Sequence, residues 1–111
     1  MLLACGMIVA LALSAPFAVA EARSCRPVVN PYPNSRYEGA DLREIRARNV
    51  SCRTARRVAR GAHYKALGMS PTASGVRRFR WRRWSVTGDI RGSTDRYSAR
   101  SAEGERVSWL F

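Results

Sequence analysis

The sequence predicts an α+β fold, one main helix packed on a small antiparallel sheet of about three C-terminal strands, with a short N-terminal strand as a further element. Three observations lead there. Between Asn49 and Gly61, small apolar residues recur at helical spacing against a run of arginines. The last third of the chain alternates aromatic or aliphatic residues with polar ones, the period of a strand with one buried side. Between the two lies Ser70 to Gly75, a stretch of serine, threonine, proline and glycine that reads as a loop.

Taken in order, residues 1–20 read as a signal peptide. No charged residue occurs from Met1 to Ala20, Leu2 to Leu13 is almost wholly apolar, and Ala18-Val19-Ala20 offers a small-x-small cleavage pattern. An uncleaved N-terminal anchor is the alternative. A lipoprotein reading fails because no hydrophobic region precedes Cys5. The expected location is therefore outside the cell or at the cell envelope. Residues 21–40 read as an extended, proline-rich arm, interrupted by Pro27, Pro31 and Pro33, with turn chemistry at Asn34, Ser35 and Gly39. Tyr32 and Tyr37 are expected to pack on the domain rather than stack on a ligand. Residues 41–111 form the single α+β domain.

Within that domain, Leu42, Ile45, Ala47 and Val50 stand among charged residues in a phase that suits neither period well. Ile45 and Ala47 suit a short strand; Leu42 and Ile45 suit a helical turn. Ser51 then caps the main helix, its hydroxyl accepting from an amide that the first turn leaves unpaired. Cys52, Ala55, Ala59, Ala62 and Ala66 fall on one side of this helix, and Arg53, Arg56, Arg57 and Arg60 on the other. Gly68 is expected to end it in a left-handed conformation.

The strands follow. Phe79 and Trp81 share one side of an extended segment, but Trp84 and Val86 are out of phase with them. A strand carrying all four needs a twist or bulge at Arg82-Arg83, which would turn Trp84 outward. Thr87-Gly88-Asp89 and Gly92-Ser93 read as a turn or irregular loop. Tyr97, Ala99 and Ser101 alternate in the next strand, Glu103-Gly104-Glu105 makes a tight connection, and Val107, Trp109 and Phe111 alternate in the last.

Cys25 and Cys52 are the cysteines left after the signal, and an even count in a small exported domain favours a disulfide. Closing that loop would stabilise the fold by about 3–4 kcal/mol through lost chain entropy. Two free thiols are the alternative. No metal site is expected, because two cysteines and the single His63 show no ligand spacing. No cofactor is expected either.

The net charge of +12 is the strongest global signal, and all but one of the 20 basic residues are arginine, the exception being Lys65. Such a chain attracts polyanions, with nucleic acid, acidic polysaccharide and anionic lipid surfaces all candidates. The candidate contacts are Arg53, Arg56, Arg57 and Arg60 on the helix, and Arg77, Arg78, Arg80, Arg82, Arg83 and Trp84 in the following strand. Guanidinium groups interleaved with indoles in Arg77 to Trp84 also resemble short arginine- and tryptophan-rich antimicrobial peptides. The alternative for that stretch is a strand with its rings inward and its arginines in water. For catalysis there is only His63, which could pair with Glu38 or Glu44 as in a ribonuclease, or simply interact with carbonyls at the helix end; no motif supports a reaction.

Val50-Ser51-Cys52-Arg53-Thr54-Ala55-Arg56-Arg57-Val58-Ala59 resembles a segment shared by a group of small secreted proteins of high-GC bacteria, Val-Ser-Cys-x-x-Ala-x-x-Val. In that group a second, earlier cysteine often accompanies the helix cysteine, and a further pair commonly joins strands of a C-terminal β region. Cys25 and Cys52 match the first pair, while Trp84 and Ala99 stand roughly where the later pair is expected. The resemblance implies secretion and a compact α+β domain, and it supplies no catalytic residue. Together these readings predict an exported, monomeric, non-catalytic basic domain that binds an anionic partner. The alternatives are a membrane-active antimicrobial or toxin-like protein and a small secreted hydrolase or nuclease.

Overall fold

The computed structural model describes residues 21–70 and 72–111; the predicted signal peptide, with Cys5, lies outside the described residues. The elements are β1 (Arg23–Ser24), β2 (Arg43–Arg48), α1 (Cys52–Leu67), β3 (Val76–Trp81), β4 (Trp84–Asp89), β5 (Arg96–Arg100) and β6 (Arg106–Leu110). All the strands join one antiparallel sheet in the order β1-β2-β6-β5-β4-β3. The fold class is α+β as expected, but the C-terminal part supplies four strands, β3–β6, instead of three, and two precede the helix: β2, where a short N-terminal strand was expected, and β1 in the arm.

One local feature adds the fourth C-terminal strand and a second lengthens β4. Trp81 and Trp84 pair directly, so Arg82-Arg83 is the two-residue turn of a hairpin rather than a bulge within one strand, with Arg82 at φ 53°. Thr87-Gly88-Asp89 continues β4 instead of turning. Gly88 faces Tyr97, and the Tyr97 ring occupies the space that a side chain at Gly88 would need. A glycine inside a strand here marks close approach, not a break. The bulge of this sheet lies elsewhere, between Arg43 and Arg46, with Glu44 at φ 49°. That extra residue lets Leu42, Ile45 and Ala47 all turn inward, which explains the imperfect phase of their spacing.

Helix α1 begins as predicted: Ser51 is extended at its cap and its hydroxyl accepts from the Thr54 amide at 3.1 Å. Its end differs from the expectation. Gly68 is right-handed, at φ −83°, and its amide donates to the Lys65 carbonyl at 3.1 Å, a tightened last turn. The buried Arg77 guanidinium donates to the Ala66 carbonyl at 2.9 Å, so the Lys65 and Ala66 carbonyls are met without a left-handed residue.

Ala55, Ala59, Ala62 and Ala66 are fully buried, so the helix lies close on the sheet, and the large residues come from the strands. Trp84, Val86, Tyr97, Val107 and Trp109 fill the space between the layers, with the Tyr97 and Trp109 rings stacked at 5.4 Å across β5 and β6. Each such ring removed from water contributes about 1.5–3 kcal/mol. Cys25 and Cys52 form a disulfide, their Cα atoms 5.4 Å apart, joining the segment before β2 to the first helical turn. Residues 21–40 are tied along β2: beyond β1, Val28 pairs with Leu42, and Tyr32 is buried beneath the helix side chains.

Candidate anion-binding face

Among the described residues, helix α1 covers one face of the sheet and the other is left open. Strand alternation sends every second side chain to the open side, and antiparallel register sets those side chains in rows. One row runs Arg48, Arg106, Arg100, Ser85, Arg80 across β2, β6, β5, β4 and β3. The next runs Arg46, Ser108, Ser98, Thr87, Arg78 across the same strands. Neighbours within a row have Cβ atoms about 4.5–5.5 Å apart. Twist bends this face into a hollow of about 440 Å³, lined by Arg46, Arg48, Arg78, Arg100 and Arg106 over a floor of Ser85, Thr87, Ser98 and Ser108.

Arginine dominates the electrostatics of the hollow, and Glu44 stands at its edge, in a smaller depression with Arg46, Arg96 and Ser108. Among the described residues, the lining arginines make no ion pair. Asp89, in a third row with Arg96, is held by Arg91, whose guanidinium donates at 3.0 and 2.8 Å. Those bonds pull the Asp89 carboxyl down to about 2, so it stays ionised and engaged. Like charges placed directly opposite, as in Arg48, Arg106 and Arg100, destabilise a sheet by roughly 0.2–1 kcal/mol per pair. An anion laid across the row would reverse that sign. The hydroxyl floor can donate to the same anion.

The arginines expected to bind polyanion are scattered. Arg53, Arg57 and Arg60 are exposed on α1, and Arg56 is half-buried, donating to the Pro27 carbonyl at 3.3 Å. Arg78 and Arg80 reach the open face. Arg83 is committed to Glu105 at 2.8 Å and Glu103 at 3.2 Å, which pins the β3–β4 hairpin to the β5–β6 turn. Arg82 lies over the Trp81 ring at 4.7 Å. Two expectations are corrected. Arg77 is buried, bonded to Ala66 and to the Tyr97 hydroxyl at 3.3 Å. Trp84, expected to be the exposed aromatic, is only 2% exposed, because the hairpin restores it to the inward phase shared by Val86.

Arg46, Arg48, Arg100 and Arg106 are the residues that sequence reasoning missed. The signal was present as the polar half of each alternation: Arg46-x-Arg48, Arg78-x-Arg80 and Arg96-x-x-x-Arg100 each place arginines on one side of a strand.

His63 is fully buried, with Nδ1 2.6 Å from the Tyr32 hydroxyl, and its partner is neither Glu38 nor Glu44 nor a terminal carbonyl. Its ring touches Tyr97 and Phe111, at centroid distances of 5.1 and 4.2 Å. Burial first, and the Arg77 charge second, push His63 down to about 4, so the ring is neutral. Burial raises Tyr32 in turn. Among the described residues, no three His, Cys, Asp or Glu side chains gather as metal ligands would, and no helix is long and apolar enough to cross a membrane. No protein-family model, characterised protein or solved structure matches the chain.

Proposed function

We propose that this protein is an exported, non-catalytic binding domain that holds an anionic polymer on the open face of its sheet. The observation that carries this reading is the row of Arg48, Arg106 and Arg100 beside the hydroxyl-lined hollow, with no carboxylate in the hollow's lining. No aromatic side chain occupies the rows of the open face, so the polymer is held through its charged groups and not by stacked bases. Acidic polysaccharides and nucleic-acid backbones both present such groups. Export is supported by the apolar segment at residues 1–20 and by the disulfide, a bond favoured in oxidising compartments. The membrane-active alternative has less support, since Trp84 is buried and Arg83 is ion-paired.

The test is binding of an acidic polysaccharide and of a single-stranded DNA oligomer across a salt series. Replacing Arg46, Arg100 and Arg106 by serine should weaken both, and should reduce the slope of log K against log salt by about 0.7 per lost phosphate contact on the oligomer. The same change at Arg53, Arg57 and Arg60 should have the smaller effect. If the helix variant loses binding and the sheet variant keeps it, the site is the helix.

A further inference from the structure

On the helix side a groove of about 590 Å³ runs between residues 31–35, α1 and the tip of the β3–β4 hairpin. Its floor depends on Gly61. The Trp81 indole lies where a Cβ at Gly61 would stand, so the ring packs directly on the helix backbone and forms one wall. Pro31 and Pro33 form the other wall, and Tyr64, 71% exposed, leaves its ring in solvent within the groove. Arg57, Arg60 and Arg82 stand around this apolar lining. All three are exposed, none makes an ion pair among the described residues, and no carboxylate lines the groove.

A neutral ring would leave the guanidinium groups unused, and a bare inorganic anion would leave the aromatic lining in water. A ligand with both parts uses both. Guanidinium forks match phosphate oxygens two at a time, and three of them exceed what one carboxylate can engage. The volume falls within the roughly 300–1,000 Å³ of small-molecule sites. We propose that this groove binds an aromatic phosphomonoester of nucleotide size, its ring against Tyr64 and its phosphate held by Arg57, Arg60 and the Arg82 guanidinium, which is stacked on Trp81 at 4.7 Å and keeps its N–H edge for the phosphate. The site is separate from the open sheet face and does not rest on the polymer-binding reading.

The experiment is an amide-shift titration of the oxidised protein with adenosine 5′-monophosphate and phenyl phosphate, against adenosine and inorganic phosphate. Both ring phosphates should move Gly61, Tyr64 and Trp81, with each control at least about tenfold weaker because it lacks one half of the recognition. Tyr64→Ala, at an exposed position, should weaken adenosine 5′-monophosphate roughly fivefold or more while leaving the fold intact. Gly61→Ala, checked for fold by circular dichroism, should displace Trp81 and weaken binding as well. Equal binding of inorganic phosphate, shifts confined to Arg100 and Arg106, or no binding at millimolar ligand would each overturn the proposal. So would Tyr64-dependent attachment to phosphatidylglycerol vesicles without binding of either soluble ring phosphate.

Discussion

Along β5, Tyr97 and Ala99 lie beneath the helix while Arg96, Ser98 and Arg100 lie on the open side; along β6, Val107 and Trp109 face Arg106 and Ser108 in the same way. The covered face is built from volume and the open face from charge. The two share a backbone and differ only in the parity of the residue. Stability and binding should therefore separate cleanly by position, with substitutions on one face leaving the other property nearly untouched.

The largest effect should come from the covered face. Trp109→Ala removes a fully buried ring stacked on Tyr97 and should cost about 3–5 kcal/mol in denaturant unfolding. A loss below about 1 kcal/mol would show that side-chain volume is not what holds the layers together. Next is the disulfide, whose Cys52→Ser variant paired with Cys25→Ser should lose about 3–4 kcal/mol. An unchanged denaturation midpoint would show that β1 and the Val28–Leu42 pair tie down residues 21–40 without it.

His63 gives a pH arm of similar size. It is held near 4 in the fold and titrates near its ordinary 6.5 when unfolded, so the folded chain binds fewer protons between those values. Stability should be intact above about pH 6.5 and fall by about 3 kcal/mol as the pH drops to about 4. The groups facing the ring are the Tyr32 hydroxyl, Tyr97 and Arg77, and Arg77 opposes a charge on the imidazole. His63→Gln should flatten this window; a slope that survives the change would place the proton elsewhere.

The smallest effect on stability should come from the open face. Arg106→Ser removes the middle charge of the Arg48, Arg106, Arg100 row and should leave unfolding within about 0.5 kcal/mol, on the side of a gain. Affinity for an acidic polymer should fall in the same variant. If stability dropped by more than about 1 kcal/mol instead, the row would be structural and the division between the faces would fail.

Much of the covered face was legible because it repeats a short-range rule. The alanine stripe of α1, its Ser51 cap, and the alternation through Tyr97, Ala99, Val107 and Trp109 each depend on neighbours within a few residues. The hairpin at Arg82-Arg83 was not legible. Arginine at a positive φ carries no turn signature, and the turn is held by the Trp81–Trp84 pairing and by Arg83 on Glu103 and Glu105. The open face was half legible. Each Arg-x-Arg pair marks one side of one strand, but only the order of strands says which pairs become neighbours.

By itself, then, the sequence determined the helix and its two sides, the pairing of Cys25 with Cys52, the inward residues of the last two strands and a charge of +12. These follow from helical and strand periodicity, from cysteine count and from composition, all of which are local or additive. The tertiary structure alone decided that Arg77 is a buried partner of the helix end, that His63 meets Tyr32, and that arginines from β2, β5 and β6 form one row. Those outcomes depend on which distant strands pair, and pairing is set by how the whole core closes around the alanine face of α1.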